Sequence, residues 1–152
     1  MYRQNKRRDD FRQETEIEKI IQKIGNLQNL SQLDEKDIAE EGGYAEQIAK
    51  AREVKDLKTT QLRKFFSEIK VNERKLKEKG WDGIKADFYM MRPNLAYAKA
   101  RKLVPDPFFK LINACMKQVD KGDDEQKKEN YKRFVQFLEA IIAYHKYYHG
   151  GS

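Results

Sequence analysis

The sequence predicts an all-α protein, a compact bundle of about six helices with a long C-terminal helix. Strand formers are scarce, since the 152 residues include only five Val and three Thr, and such β-branched residues favour strands. Apolar residues recur instead at steps of three and four, which is the spacing of one helix face. Capping residues and glycines separate these runs. The length and the 39% hydrophobic content predict a single domain with one modest core.

We divide the domain into a variable helical N-terminal region, residues 1–57, and a helical bundle core, residues 58–152. In the first region, isoleucines at helical spacing from Ile17 to Ile24 predict a helix that Gly25 ends. The polar, acidic stretch 26–43 is typical of a connector with room for one short helical turn. Residues 44–54 predict the next helix.

In the second region, a threonine pair at 59–60 predicts the N-cap of a helix that Gly80 ends. A shorter helix is expected over residues 81–91. Pro93 should interrupt it, because the residue before a proline is pushed away from helical angles. The helix is expected to resume over residues 94–102.

Two further helices complete the expected bundle. Asp106 is predicted as an N-cap with Pro107 at the first helical position, where its missing N–H is harmless, and this helix should run to residue 120. Asp123, three residues before Gln126, predicts the start of the last and longest helix, which should reach Tyr148.

Charge and hydropathy restrict the function classes. Residues 1–57 hold 11 Lys+Arg and 13 Asp+Glu, net −2, whereas residues 58–152 hold 21 and 12, net +9. The basic second region is therefore expected to attract polyanions. No apolar run is long enough to span a bilayer, and the basic N-terminal ten residues lack the apolar segment of a secretory signal. A single cysteine excludes an internal disulfide, so we expect a cytoplasmic protein without a membrane role.

Candidate metal and catalytic residues are few. His145 and His149 are one helical turn apart, as helical zinc ligands often are. A zinc site needs three or four ligands, however, and these are the only histidines in the chain. We therefore expect them to complete the bundle or a contact surface. Cys115 falls on a predicted buried face, where a thiol is inert. No phosphate loop or catalytic triad is present, so we expect no enzyme activity, no metal and no cofactor.

The basic residues align on helix faces. Arg63, Lys70, Arg74 and Lys77 fall within about 60° of one another at 100° per residue, flanked by Ser67. Such a row can follow successive phosphates. A second cluster closes the later helix and consists of Arg92, Lys99, Arg101 and Lys102. Basic residues late in a helix also interact favourably with the negative end of the helix dipole. This is the alternative to a role in phosphate binding. A helix-turn-helix DNA reader is disfavoured because it would need a small, tightly packed partner helix before residue 59, and the preceding segment is acidic instead.

Three stretches together resemble a known family. "TTQLRKFFSEIK", "NLAYAKARK" and "FLEAIIAYHKYYHGG" are similar to the small, all-helical subunit of type III-A CRISPR effector (Csm) complexes. The resemblance covers about residues 58–151 and matches residues 1–57 only loosely. It implies a non-catalytic part of a crRNA-guided antiviral ribonucleoprotein. Its partners would be crRNA and target RNA, other CRISPR effector subunits and further copies of itself.

The resemblance also implies RNA-facing residues by position. These are Arg63 and Lys64 in the first motif, Lys99, Arg101 and Lys102 in the second, and Lys146 in the third. Guide pairing supplies sequence recognition, so such a subunit needs only to neutralise phosphate and recognise duplex shape. The alternative is a self-associating helical scaffold without direct nucleic-acid binding. A metal-dependent nuclease is more remote.

Overall fold

The computed structural model describes residues 14–150, and within that range the protein is all helical, without a strand. The helices are α1 (Glu16–Gly25), α2 (Glu35–Ala39), α3 (Tyr44–Lys50), α4 (Thr59–Lys79), α5 (Lys85–Ala100), α6 (Asp106–Val119) and α7 (Asp124–His149). Short 3-10 turns lie between them at Leu30–Gln32, Arg52–Val54 and Trp81–Gly83. The predicted fold class and the long C-terminal helix are confirmed. The basic N-terminal ten residues lie outside the described residues. In the described part of the chain, no helix has the length and apolarity that crossing a membrane requires.

The central helix is α7, against which α2, α3, α4 and α6 all pack. Its inner face is the predicted apolar stripe, and Phe134, Phe137, Leu138 and Ile141 are all buried there. This stripe belongs to one continuous core that extends from α1 to α7. Burial of so many large side chains is the main force that holds the bundle together.

Helices α4 and α7 run antiparallel, and two polar contacts fix their register. At the start of α4, the Thr59 hydroxyl lies 3.2 Å from Nδ1 of His145, near the end of α7. Farther along α4, the carbonyl of Ile69 accepts a 2.8 Å hydrogen bond from the buried hydroxyl of Tyr131. On another side of α4, Arg63, Ser67, Arg74 and Lys77 are exposed.

The buried Asn130 joins three parts of the fold. Its side-chain amide donates to the carbonyls of Gln118, Val119 and Lys121 at 3.1 to 3.2 Å, where α6 ends. Its side-chain oxygen accepts from the backbone N–H of Ser31 at 3.0 Å. The amide therefore caps the end of α6 and anchors the N-terminal region to α7, which satisfies groups that burial would otherwise leave unpaired.

The predicted connector, residues 26–43, is more structured than a single turn. It contains the turn at Leu30–Gln32 and helix α2, and it buries Leu30, Leu33 and Ile38. The apolar residues of this stretch form too short a periodic run to predict a helix on their own. The prediction of a helix over residues 44–54 also changes, because α3 ends at Lys50 and a 3-10 turn follows it.

The predicted interruption at Pro93 is wrong. Helix α5 is continuous from Lys85 to Ala100 with the proline inside it, and it ends two residues before the predicted end at Lys102. Phe88, Met91 and Leu95 are buried on one side of the helix and span the proline, which is itself exposed. Proline lacks the backbone N–H that would form a hydrogen bond within the helix. Packing of the buried side offsets this loss, because tertiary contacts can outweigh an unfavourable local helix propensity.

Two predicted N-caps are displaced by one residue. Lys58 and Pro105 precede the first helical residues, and Thr59 and Asp106 lie inside α4 and α6. The Thr59 hydroxyl bonds to a histidine instead of a helix-end N–H. The Asp123 cap is confirmed, because its carboxylate accepts from the backbone N–H of Gln126 at 2.9 Å.

Candidate nucleic-acid interface

A row of basic side chains follows the outer face of α4. We call it the α4 stripe, and it consists of four cations, Arg63, Lys70, Arg74 and Lys77, together with Ser67. All five lie on one continuous helix, about 120° around its axis from the side that buries Leu62, Ile69 and Leu76. From first to last they extend about 21 Å along the axis at the helical rise. The alignment that the sequence predicts is therefore present in the structure.

The members of the α4 stripe differ in their contacts. Arg63, Arg74 and Lys77 are exposed, and within residues 14–150 none of them forms an ion pair. Lys70 is half-buried, and its ammonium lies 2.8 Å from the carboxylate of Glu73 and 6.0 Å from the centre of the Phe66 ring. The hydrogen bond to Glu73 raises the pKa of Lys70. The charge of Lys70 is thus partly neutralised, whereas the other three cations are available to a ligand.

A second basic site lies on a different side of α4, in a cleft between α4, α5 and the segment that leads into α6. Lys64 from α4 and Arg101 from the end of α5 both line this cleft, which has a volume of about 240 Å³. Its floor is apolar and includes Leu62, Leu95 and Phe108. The structure therefore brings together two predicted residues that are far apart in the sequence.

Tyr97 is the residue of this cleft that the sequence analysis did not single out. Its ring is 64% exposed and lies 5.7 Å from the guanidinium carbon of Arg101. An exposed aromatic ring beside an arginine can stack on a nucleobase while the cation meets phosphate. The available signal was the spacing, because residues four apart on a helix are neighbours.

The other predicted residues of the second cluster point elsewhere. The Lys99 ammonium forms an ion pair with the Asp106 carboxylate and lies 4.9 Å from the centre of the Phe109 ring. Hydrogen bonds from Lys99 and then Lys110 lower the pKa of Asp106. Lys102 is exposed in a left-handed conformation, with φ of 62°.

Arg92 and Lys146 lie apart from both basic sites. The Arg92 Nε donates a 2.7 Å hydrogen bond to the side-chain oxygen of Asn113, across the junction of α5 and α6. Lys146 is exposed near the end of α7, beside Tyr147, whose ring is 78% exposed. Of the ten predicted residues, four form the α4 stripe and two line the cleft.

Each C-terminal histidine uses one ring nitrogen within the bundle. His149 Nε2 donates to the carbonyl of Ala49 at 2.7 Å, and His145 Nδ1 contacts the Thr59 hydroxyl. Burial, and then the nearby His149, lower the pKa of His145, while the backbone of Val54 and Leu57 partly opposes this shift. Within residues 14–150, no three His, Cys, Asp or Glu side chains form a group that could hold a metal ion.

Two tyrosines complete this end of α7. The Tyr144 hydroxyl donates to the carbonyl of Ala39 at 2.7 Å, and the Tyr148 hydroxyl donates to the carboxylate of Glu46 at 2.8 Å. The hydrogen bond to Glu46 raises the pKa of Tyr148 to about 12. This segment therefore docks the last helix onto α2 and α3. Cys115, the other candidate for chemistry, is fully buried, and burial raises the pKa of its thiol.

Comparison with known proteins identifies a family. The family described as Csm2 Type III-A matches residues 35–151 of the chain, more than half of its length. The match begins at α2 and so includes part of the N-terminal region that the sequence motifs matched only loosely. No curated protein and no solved structure matches the chain.

Proposed function

The chain belongs to the Csm2 Type III-A family, and from that premise we propose that it is a non-catalytic subunit that binds the guide–target RNA backbone. Family membership makes the chain a subunit of a type III-A CRISPR complex, with other Csm subunits as its partners. We propose further that it contacts the backbones of crRNA and target RNA without recognising their base sequence. It acts in antiviral defence in the cytoplasm, where several copies associate within one complex.

The α4 stripe is the observation that carries this proposal. Arg63, Arg74 and Lys77 are exposed along one helix, beside the side that packs against the bundle core. Phosphate oxygens repeat along a nucleic-acid backbone, so a row of cations on a helix matches several of them at once. Phosphate contacts fix position without reading bases, as a subunit beside a base-paired guide requires.

The cleft supports the same function in a second way. Lys64 and Arg101 add cations, and Tyr97 adds an exposed ring at the rim. The stripe and the cleft lie on different sides of α4. An RNA that contacts both must therefore pass around the helix, or two RNA segments must meet the chain on its two sides.

Charge reversal tests this proposal. We expect the triple variant Arg63→Glu, Arg74→Glu and Lys77→Glu to lose retention of RNA on the isolated protein and within the assembled complex. The midpoint temperature of its thermal unfolding should stay close to that of the wild type, because exposed charges contribute little to folding stability. Retention is measured by filter binding at fixed salt, and unfolding by circular dichroism.

A matched control has the same change of net charge elsewhere. Lys36, Lys55 and Lys121 are exposed and lie outside the α4 stripe and the cleft, so their reversal to Glu should leave most RNA retention in place. Equal loss in both variants would show that net charge alone attracts RNA. Full retention in the stripe variant would refute the stripe as the RNA contact. In that case, RNA crosslinking of the assembled complex, with mapping of linked peptides, identifies the true face.

A separate assay tests the non-catalytic part of the proposal. RNA incubated with the pure protein and Mn²⁺ or Mg²⁺ should remain intact on a denaturing gel. RNA degradation by an activity that co-purifies with the protein would refute the non-catalytic role.

A further inference from the structure

The cleft between α4 and α5 has an apolar floor that phosphate binding leaves unexplained. The floor consists of buried side chains, namely Leu62, Met91, Leu95, Val104 and Phe108. Contacts to a phosphate backbone need only the cations at the rim. An apolar floor with a few polar groups around it is instead the usual composition of a site for a small ligand or a flat ring.

The polar rim of the cleft has a different chemistry at each end. Lys75, late in α4, lies 3.3 Å from Asp87, early in α5, whereas the cleft is lined by the earlier part of α4 and the later part of α5. The two helices therefore run in opposite directions. The rim residues follow the order Gln61, Lys64, Glu68 along one wall and Arg101, Tyr97, Asn94 along the other. The cations thus lie toward one end and the carboxylate lies at the other.

This order of groups matches the order of groups in a nucleotide, which has a phosphate at one end, a flat ring, and a hydrogen-bonding edge on the far side of the ring. Lys64 and Arg101 match the phosphate. The Tyr97 ring matches the flat face of the base. Glu68 and Asn94 match its edge. Unpaired bases of RNA are recognised in this way, by stacking on an aromatic ring and by hydrogen bonds to their edges.

The size and charge of the cleft suit a single nucleotide. Its volume of about 240 Å³ is below the range of about 300 to 1,000 Å³ for pockets that enclose a drug-sized ligand, so it has room for one base and not for a stack of bases. An apolar side chain of a partner protein would leave both polar ends unused. A basic side chain would be repelled by Lys64 and Arg101. Charge complementarity therefore favours a nucleotide over a protein side chain.

The charged groups at the rim are available to a ligand. Lys64 and Glu68 are both exposed and lie one helical turn apart, but in the described part of the chain no ion pair joins them. Arg101 is exposed, and its guanidinium carbon lies 5.7 Å from the centre of the Tyr97 ring. A cation is therefore already present beside the ring on which a base would stack.

The turn that ends α5 forms the cation end of the cleft. The backbone N–H groups of Lys102 and Leu103 donate to carbonyls in the last turn of α5 at 2.9 and 3.0 Å. Lys102 has the left-handed φ of 62° that this type of helix end uses. The turn brings Leu103 and Val104 into the wall of the cleft beside Arg101. This end of the cleft is therefore formed before a ligand arrives.

We propose that the cleft is a nucleotide subsite that takes one unstacked base with an exocyclic amine, and holds its phosphate at Lys64 and Arg101. A carboxylate can only accept hydrogen bonds, so Glu68 favours an amine donor, as carboxylates do at the amine of cytosine. Uracil has a carbonyl at that position and is disfavoured. The nucleotide is an unpaired residue of an RNA strand or a free nucleotide. The first source rests on the proposed function and adds base recognition to its backbone contacts.

Cytidine and uridine monophosphate are matched probes for the free nucleotide, because the amine of one base is a carbonyl in the other. In isothermal titration of the full chain, we expect the cytidine nucleotide to bind about fivefold or more tightly than the uridine nucleotide. Glu68→Gln keeps the shape of the side chain but adds a donor, so it should remove this preference.

RNA duplexes test the strand as the source of the nucleotide. A short duplex with one unpaired cytidine is compared with the same duplex carrying an unpaired uridine, by fluorescence anisotropy at fixed salt. A preference for cytidine that Glu68→Gln removes assigns the subsite to an RNA strand. The same preference among the free nucleotides alone assigns it to a free nucleotide. Equal binding of the cytidine and uridine probes in both assays would overturn the proposal.

The tyrosine ring provides an independent test. Tyr97→Ala should weaken binding of the preferred probe about fivefold or more, whereas Tyr97→Phe should retain it, because stacking needs the ring and not the hydroxyl. Tyr147→Ala is the matched control, since Tyr147 is 78% exposed but lies on α7. Thermal unfolding shows that each variant is folded. Unchanged binding in Tyr97→Ala, or an equal loss in Tyr147→Ala, would contradict stacking in the cleft.

A fully paired duplex separates this inference from the proposed function. It offers backbone phosphates but no unpaired base, so its retention reports the α4 stripe and should not change in Glu68→Gln. The triple variant of the α4 stripe should lose the paired duplex and keep most binding of the free cytidine nucleotide. Retention of the paired duplex without any base preference would leave the proposed function intact and remove the subsite. The two proposals can therefore fail independently.

Discussion

Single side chains on the inner face of α7 dominate the stability of the bundle. Phe137 and Ile141 are buried, Ile141 at 1% exposure, in the helix that four others contact. We expect Phe137→Ala or Ile141→Ala to lower the free energy of unfolding by about 2 to 5 kcal/mol, because each leaves a cavity that the packed neighbours fill only in part. Urea titration measures the loss. Tyr147→Ala, on the exposed side of α7, should change the free energy of unfolding by only about 0.5 kcal/mol. An equal loss of stability in the core variants and in this control would contradict the assignment of α7 to the core.

The buried His145 should make stability depend on pH. Its pKa is lowered in the folded protein, chiefly by burial. The unfolded chain therefore binds more protons below the ordinary pKa of histidine, about 6.5. The stabilising effect is present above that pH and is lost as the pH falls below it.

We expect the free energy of unfolding to fall between about pH 7.5 and 5.5, and to fall less in His145→Gln. Urea titrations of both proteins at the two pH values measure the difference. The same pH dependence in both proteins would show that another group is responsible.

At the residue scale, the sequence could place the two histidines on one side of a helix, but it could not identify their partners. The spacing of His145 and His149 placed them on one side of a helix, and the lack of further ligands argued against zinc. Their hydrogen bonds go to Thr59 and Ala49, which are 86 and 100 residues away. Such contacts follow from how the helices pack, which local spacing does not specify.

At the scale of the helix, α5 shows why local rules predicted two helices where there is one. Pro93 removes a backbone donor, and the sequence rule is that a helix ends before it. The structure keeps the helix because its packed side spans the proline. By contrast, Gly80 ends α4 as predicted. Its φ of 75° is a backbone conformation that residues other than glycine rarely adopt.

We expect Pro93→Ala to raise the free energy of unfolding by up to about 3 kcal/mol, because proline is that much less favourable than alanine inside a helix. Thermal unfolding followed by circular dichroism, at the lowest workable protein concentration, measures the gain without a contribution from association. Asn94→Ala is the control and should gain about 0.7 kcal/mol or less. A loss of stability in Pro93→Ala would show that the fold needs a proline kink.

At the scale of the whole molecule, the predicted basic residues do not form one face. The α4 stripe could be predicted because all its members lie on one helix, where 100° per residue sets their direction. The cleft could not, because Lys64 and Arg101 come from different helices and line one cleft only through the tertiary arrangement of α4, α5 and the start of α6. Likewise, the pairing of Lys99 with Asp106 depends on how the chain turns between α5 and α6.

The electrostatic contribution of each cation can be read from the salt dependence of RNA binding. Each phosphate contact to a single strand contributes about −0.7 to the slope of log K against log salt, and a duplex contact contributes somewhat more. Arg74 is exposed and unpaired within the described residues, so Arg74→Gln should make the slope shallower by about 0.7 to 1. Lys70 already contacts Glu73 at 2.8 Å, so Lys70→Gln should change it less.

Fluorescence anisotropy of a labelled RNA, measured from low to moderate salt, gives both slopes. Because the two residues are four apart on the same helix, the RNA passes both at nearly the same distance. The difference between the two changes of slope therefore measures the effect of the Lys70–Glu73 ion pair. Equal slopes for the two variants would mean that RNA displaces Glu73 from Lys70. An unchanged slope for Arg74→Gln would mean that the middle of the α4 stripe does not touch phosphate.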